Sequence, residues 1–435
     1  MNRFWFLMIV ALSLALTGVE VRAEQVFDAV TSSELRLTAD DPAKSQNNIT
    51  RLNGFLKTHN GSYTVSFPAG VYYFSNAINI PGSVTIEGQG DSTILKHEGS
   101  GIFPVAQSSG NSNVTIRNLT IDGSKTSSQW KTETHFLFGV YLTRCTNSRV
   151  IGVRVVNIQS DGIVIEMGSG NEIQNCTLVG VNKAGIYFSS SEDGKALNNN
   201  VNGSGTGDSG IQVSATWRCV ISGNKFESHK GCGILLTKDS RYLQIENNTT
   251  DGIYSASTPF EGKLHGITYS LGPEGYGIYD SEIVSNAVTG KMLSIFHSAR
   301  VQVRKNRIRQ VNGYGIIIWG SSECQVLDNY LSDIGNLFPQ QPMIFLAPLY
   351  PGEIGNAQPI GSNYNLVRGN QVYQLCRLNT GIQIGPFSSY NLVVQNDISA
   401  SIPILIQGEK NTELDNIASN TTIVDCKRQV PDPRP

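Results

Sequence analysis

Charge is scarce in this chain. Only 16% of its 435 residues are Asp, Glu, Lys or Arg, and 33 basic against 35 acidic side chains leave a net charge of −2. A nucleic-acid groove needs a basic surplus to displace counterions, so nucleic acid is not an expected partner. No block of like charge appears, and apolar residues, 39% of the total, recur along the whole length, which excludes a disordered chain. The seven cysteines (Cys145, Cys176, Cys219, Cys232, Cys324, Cys376 and Cys426) contain no Cys-x-x-Cys pair, so a paired-cysteine zinc site is not expected. Beyond residue 23 no apolar run is long enough to cross a bilayer of ~30 Å, and no membrane span is expected.

What is present begins with residues 1–23. Asn2-Arg3 is a short basic start, Phe4–Leu16 an apolar run, and Val21-Arg22-Ala23 a small-residue cleavage site. Together they read as a secretory signal cut after Ala23, placing the protein outside the cytoplasm, secreted or periplasmic. An uncleaved N-terminal anchor is the competing reading. That compartment permits disulfides. Yet Arg218-Cys219-Val220-Ile221 and Glu323-Cys324-Gln325-Val326 are strand-like, so most cysteines are expected to be small buried fillers.

One repeat organises most of the chain. Gly followed by apolar-x-apolar recurs from Gly139-Val140-Tyr141-Leu142 through Gly162, Gly185, Gly210 and Gly233, at gaps of 23, 23, 25 and 23 residues, and returns at Gly266, Gly315 and Gly381. Between these lies Asn-x-apolar-polar, starting at Asn199, Asn224, Asn286, Asn306, Asn329, Asn370 and Asn396. Apolar positions two apart make short strands rather than amphipathic helices. Short strands repeating every two dozen residues are satisfied by stacking at ~4.8 Å, which pairs their backbone groups and encloses an apolar interior. The recurrent Asn suits a bend where side-chain amides bond one another, and the Gly suits a turn with positive φ. Leucine-rich repeats share the period but need a Leu-x-x-Leu-x-Leu frame, which is missing. The expected fold is all-β: a right-handed, single-stranded parallel β-helix, a solenoid over residues 111–420 with loop insertions near 252–265 and 333–361. Residues 24–110 form an N-terminal helical cap and first turns, the helix lying near Asp40-Asp41-Pro42 and Ile49–Leu56, and residues 421–435 a tail.

The stretch from Phe67-Pro68-Ala69-Gly70-Val71-Tyr72-Tyr73-Phe74 to Ile86-Glu87-Gly88-Gln89-Gly90-Asp91 resembles the opening module of the pectate-lyase-like superfamily, which includes polygalacturonases, alginate epimerases, pectate lyases and phage tailspikes. The resemblance implies a β-helix that handles long anionic or neutral polysaccharides. In polygalacturonases, acids sit in Asn-Thr-Asp, Asp-Asp and Gly-His-Gly motifs on successive turns. Here the corresponding places hold Ser160-Asp161-Gly162, Lys183-Ala184 and Asp208-Ser209-Gly210, so the family's hydrolytic carboxylate set is absent. The Asp-Pro-His-Asp signature of alginate epimerases and the calcium-binding Asp cluster of pectate lyases are absent too. No cofactor is expected; calcium is left open without a motif to support it.

Stacking should align Asp161, Lys183 and Asp208 on three consecutive turns, with Lys183 ~5 Å from each carboxylate and the carboxylates ~9–10 Å apart. That approaches the carboxylate separation of inverting glycoside hydrolysis. A lysine between two acids should lower their pKa values, which suits a base better than an acid. An exposed ion-pair ladder is the bland alternative. Further candidates on the same edge are His229-Lys230, Lys263, His265, Lys291 and His297, cations and bases suited to β-elimination on a uronate. Tyr187, Tyr269, Tyr314 and Trp319 are positioned to stack on sugar rings or, as the alternative, to pack on one another. Two long inserts, Tyr254–Lys263 and Asp333 to Gly361, are expected to wall a groove. The basic run from Arg300 to Arg309 is either an acidic-polymer site or a solvated face. The sequence therefore supports an extracytoplasmic polysaccharide- or oligosaccharide-active protein, with Asp161, Lys183, Asp208 and His265 as catalytic candidates for hydrolysis or lyase chemistry. Non-catalytic glycan binding or exopolysaccharide assembly is the rival, a tailspike-like adhesin a third reading, and the oligomeric state is left open.

Overall fold

The computed structural model describes residues 24–98, 103–124, 137–204, 207–255, 277–311, 313–334, 341–350, 358–373 and 380–419. Each coil visits three parallel sheets in turn. The first has 15 strands, from Gln25–Asp28 to Thr412–Leu414; the second has 14, from Gly70–Phe74 to Ile417–Ser419; the third has 13, from Ile78–Asn79 to Ile402–Ile406. Strands stack on their counterparts one coil on, so that Ile163 lies beside Ile186, Ile211 and Ile234 in succession. In the first sheet the middle residue of each short strand points inward, and Ile116, Val150, Ile173, Ala196, Ile221 and Ile245 form one buried column. The expected parallel β-helix is the fold observed.

Three-residue strands require abrupt corners, and left-handed residues make them at both ends of the first sheet and at the end of the second, where Asn157, Gly180, Ser204, Ser228 and Gly290 have φ between 51° and 89°. Asn118, Gly152, Asn175, Asn198, Gly223 and Asn247 end successive strands of the first sheet with φ between 53° and 68°. Asn113, Asn147, Gly170, Asp193, Arg218 and Tyr242 begin them with φ between 49° and 65°. Asn and Gly tolerate this region best; Arg and Tyr adopt it at a cost of roughly 1–2 kcal/mol each. The glycines before the third-sheet strands are different. Gly139, Gly162, Gly185, Gly210, Gly233, Gly315 and Gly381 are not among the positive-φ residues, which corrects the turn role expected of them. Their need is space: a Cβ on Gly162 would lie 2.5 Å from the Gly185 carbonyl oxygen and 2.6 Å from Leu178 Cδ2, and one on Gly185 2.3 Å from Val201 Cγ1.

Just after the first corner a ladder of buried amides runs through the molecule: Asn199, Asn224, Asn248, Asn286, Asn306, Asn329, Asn370, Asn396 and Asn416. Each Oδ1 accepts from both the backbone N–H and the Nδ2 of the preceding member, at 2.8–3.0 Å. Cys176 occupies the same column one coil earlier, its N–H donating to Asn199 Oδ1. Cys219 and Cys324 sit in the equivalent inward column at the corner that begins the first-sheet strands. All five described cysteines are buried and unbridged, the small fillers expected; Cys376 and Cys426 lie outside the described residues.

The helix Ser45–Thr58 follows a short 3-10 turn, Pro42–Lys44, whose first N–H groups are capped by the Asp41 carboxylate accepting from Ala43 N. It buries Ile49, Leu52, Phe55 and Leu56 over the N-terminal end of the solenoid, Phe55 meeting the Phe27 ring edge-on at 4.8 Å. The stretch read as a second long loop contains a regular third-sheet strand, Ile344–Ala347, beside Ile316–Trp319 and Thr380–Ile384, with Met343 in the glycine position. The third sheet also passes from Ile253–Ser255 straight to Leu293–Phe296, so the repeat after Gly233 is Gly252-Ile253-Tyr254. The element expected at Gly266 lies outside the described residues.

Asn286→Ala removes two donated and two accepted bonds and leaves the Asn248 backbone N–H unpaired in the interior. Mid-ladder, this substitution is expected to destabilise by ~2–4 kcal/mol, seen as an earlier urea midpoint. Asn416→Ala, at the last and less buried rung, is expected to cost about 1 kcal/mol.

Candidate functional site

The third corner, between the second and third sheets, gathers Asp161, Lys183, Asp208, His229, Asp251 and Lys291. Register places them. Ile163 pairs with Ile186, so Asp161 is level with Ala184; Ala184 pairs with Ser209, so Lys183 is level with Asp208. Lys183 N donates to Ser160 O (3.2 Å) and Asp208 N to Lys183 O (3.1 Å). The expected row of three is therefore corrected: Lys183 stacks on Ser160, and Asp161 stands one position out of step. The reason is the glycine column, which sets the alignment: Asp161 directly precedes Gly162, whereas Lys183 and Asp208 each precede their glycine by two.

The offset gives Asp161 a distinct environment. Its Oδ1 accepts from Ala184 N at 2.9 Å, and Ser160 Oγ approaches Oδ2 at 3.4 Å. The residue keeps some exposed surface, but protein crowds its carboxyl, and this loss of hydration pushes its pKa up to about 6. The Asp208 charge adds to the rise; the Ala184 N–H and the Lys183 charge oppose it without reversing it. Lys183 does act to lower this acid's pKa, as expected, but burial outweighs it and the net shift is upward.

Further along the corner, His229 is buried, with Nδ1 3.3 Å from Asp251 Oδ1, while its backbone N–H donates to Asp251 Oδ2 at 2.8 Å. Lys291 Nζ donates to the His229 carbonyl and lies 3.7 Å from Asp251 Oδ2. The structure brings His229 and Lys291 together around a residue that sequence reasoning missed, although Asp251-Gly252-Ile253 repeats Asp161-Gly162-Ile163 and was a legible signal. Lys230 is exposed beside them. His297 follows the strand Leu293–Phe296 and so lies at its opposite end from Lys291. Lys263, His265 and Tyr269 lie outside the described residues.

The outward face of the third sheet carries a row formed by Asn79, Gln107, Tyr141, Val164, Tyr187 and Gln212 on successive coils. Tyr187 is half-buried in it. Tyr141, also missed, donates its hydroxyl to Glu166 Oε2; burial and then Glu166 raise its pKa. Two expected sugar-stacking aromatics are packed instead. Trp319 meets Phe296 edge-on at 5.6 Å and donates Nε1–H to the Pro348 carbonyl at 2.7 Å, and Tyr314 stacks on Phe345 at 5.5 Å. The basic run is likewise engaged: Arg300 pairs with Asp280, Arg304 with Glu282 at 2.9 Å, and Arg307 and Arg309 lie over the Tyr330 ring.

Clefts of about 580, 570 and 530 Å³ open on the third, second and first sheets respectively, and neither Asp161, Lys183 nor Asp208 lines any of them. The first lies beside the capping helix. Among the described residues no three of His, Cys, Asp and Glu converge to hold a metal ion, and no helix is long and apolar enough to cross a membrane.

A family model described as the right-handed beta helix region matches residues 82–250 and 138–336, together more than half of the chain. A comparison with curated protein sequences found no match. Among solved structures, the A-module of the Azotobacter vinelandii mannuronan C-5 epimerase AlgE4 is similar with a TM-score of 0.59 at 18% identity, over 88% of this chain and 99% of the other. A tailspike of E. coli bacteriophage HK620 in complex with a pentasaccharide gives 0.55 at 15% identity, over 90% and 80%. A family 28 exopolygalacturonase of Yersinia enterocolitica gives 0.53 at 12% identity, over 92% and 80%. At these identities the likeness is one of fold.

A raised acid fixes a sign for stability. The unfolded chain releases the Asp161 proton near its ordinary value of 3.8, the folded chain only near 6. Its contribution to stability is complete below about pH 4 and is lost as pH rises through 6. Asp161→Asn, whose Oδ1 still accepts from Ala184, is expected to match the parent at pH 4 and exceed it by ~1–3 kcal/mol at pH 7.5 in urea unfolding. A difference independent of pH would show that the carboxyl is not held protonated.

Proposed function

The chain belongs to the right-handed β-helix family, and on that footing we propose that it is an extracytoplasmic protein that cleaves a polysaccharide by hydrolysis. The observation that carries this reading is the pairing of a carboxyl held near pKa 6, Asp161, with a second carboxylate, Asp208, two coils away at the same corner. Two coils of ~4.8 Å place the carboxylates at roughly the separation that admits a glycosidic bond and a water. Two acids in unlike environments divide the work. Asp161 gives its proton to the departing glycosidic oxygen. Asp208 takes a proton from water as the water oxygen bonds to the anomeric carbon, so one bond breaks, one forms and the proton count is kept. Lys183 stands level with Asp208, one coil away. The outward hydroxyls and amides of the third sheet supply the sugar contacts. A mannuronan epimerase, an exopolygalacturonase and a pentasaccharide-bound tailspike on the same fold support a polysaccharide partner.

A second reading has its own support. Asp161 is bonded to Ala184 N, and Lys291 and Trp319 are tied into the framework, as expected of a glycan-binding protein without catalysis. Of the candidate pairs for β-elimination, Lys263 and His265 lie outside the described residues, while His229 is buried against Asp251 beside exposed Lys230. Export by residues 1–23 belongs to the same proposal and is checked by the N-terminus of the secreted protein, expected at Glu24.

Incubation with polygalacturonate, alginate and neutral glucans is expected to release reducing ends from at least one of them, without the absorbance of unsaturated uronate. The rate should fall as pH rises through 6, and Asp161→Asn or Asp208→Asn should each lower it by about 10²–10⁴-fold. No new reducing ends from any substrate, with glycan binding retained by both variants, would establish the non-catalytic reading instead.

A further inference from the structure

The cleft of about 580 Å³ beside the capping helix is in the size range of small-ligand sites, and it is absorbed by neither the acids nor the solenoid core. One wall is the last turn of the helix Ser45–Thr58, which presents Asn53 and Lys57; the floor is the outward row of the third sheet, Asn79, Gln107 and Tyr141. The amides are already set. Asn53 Nδ2 donates to Ala77 O at 2.9 Å, Asn53 Oδ1 accepts from Asn79 N at 2.9 Å, and Asn79 Oδ1 accepts from Gln107 Nε2 at 2.7 Å. Side chains held in this way are already ordered at the cleft wall, so a ligand that meets them does not have to immobilise them. No Asp or Glu lines it. Lys57 is exposed and has no hydrogen-bond or ion-pair partner among the described residues. A single unopposed cation among amides and hydroxyls, with Leu56, Ile80 and Pro81 as an apolar side, matches a sugar ring that bears one carboxylate.

Position adds a second element. Ile78–Asn79 is the first strand of the third sheet, and the helix packs against it, so a glycan lying along this face meets the helix and ends there. We propose that this cleft binds the terminal unit of an acidic polysaccharide, with its carboxylate on Lys57, and that the capping helix sets the register from the chain end. The proposal rests on the polysaccharide reading above and adds the sugar class and the mode of attack. From Asn79 the row rises through Gln107 and Tyr141 to Val164, three steps and ~14 Å, to the strand that Asp161 introduces. An extended pyranose chain advances by about one unit per coil, so cutting at Asp161 releases products of about three units.

The test separates binding from cleavage. Asp161→Asn, which removes turnover, is titrated calorimetrically with the trisaccharides of galacturonate and mannuronate and with neutral maltotriose. At least one uronate trisaccharide is expected to bind, more weakly at high salt, with maltotriose at least 10-fold weaker. Adding Lys57→Gln should weaken the uronate about 10-fold, and Lys57→Arg should restore most of the loss. Hydrogen exchange should slow in the last turn of Ser45–Thr58 and in Ala106–Ser109. Uronate affinity unchanged by Lys57→Gln, equal affinity for maltotriose, or no binding by any probe overturns the proposal. If no substrate is ever cleaved yet Lys57-dependent binding stands, only the hydrolytic reading falls. If Asp161-dependent cleavage gives products of every length and Lys57→Gln leaves uronate binding unchanged, the terminal site falls and hydrolysis remains.

Discussion

Every other feature of this molecule depends on the backbone of each coil pairing with the coil above and below. Strands of two to six residues have too few neighbours within a coil to be stable alone, so their N–H and C=O groups are satisfied only along the solenoid axis. This constraint holds where chain length does not. Asn286 and Asn306 are 20 residues apart, Asn248 and Asn286 38, and Asn329 and Asn370 41, yet each pair makes the same two bonds at 2.9–3.0 Å. The described strands on either side of these longer stretches keep the same register. The interior therefore tolerates insertion while fixing which side chains become vertical neighbours.

The corners show how sharply the constraint selects residues. Where the chain bends by a left-handed residue at either end of the first sheet, the next position points inward and most often holds Asn, Ser, Cys or Val, with Leu119 and Leu243 also buried there. At the third corner the left-handed residue is followed a few positions on by the glycine that precedes the third-sheet strand, which clears the space beside the backbone. Polar side chains at this corner are not required to complete an inward ladder, and here acids, lysines and a histidine collect. Crowding by neighbouring coils strips water from them, which lifts Asp161 toward neutrality and buries His229 against Asp251.

Amides serve two unlike purposes on one scaffold. In the Asn199–Asn416 ladder the side-chain amides bond the next rung and a backbone carbonyl of the coil before, so the residues confer stability and are closed to any ligand. Asn53, Asn79 and Gln107 use the same chemistry at the rim of the capping helix, where they line an open cleft. The helix thus closes a strand edge that would otherwise invite pairing with another chain, and shapes a recognition surface at the same place.

The architecture was readable because a period of 23 and apolar residues two apart are one-dimensional signals of a one-dimensional fold. Asn199, Asn224 and Asn306 announced their ladder, Cys219 and Cys324 their burial, and Ile49–Leu56 the cap. The site was read less well. Asp161, Lys183 and Asp208 are near one another as expected, but a single-residue offset against the glycine column changed which of them stack, and a count of residues between glycines does not reveal it. Asp251 was hidden because the repeat was sought at Gly266 rather than Gly252, and the packing of Trp319 on Phe296 depends on Pro348 and Leu349 arriving from a stretch that reads as loop. The order of residues along the chain alone determined that coils would stack and which side of each strand would face in, since both follow from local alternation and repeat length. The direction of the Asp161 pKa, the grouping of His229, Asp251 and Lys291, and the cleft under the helix were decided only by tertiary structure, because desolvation and contact depend on what lies one coil away in space.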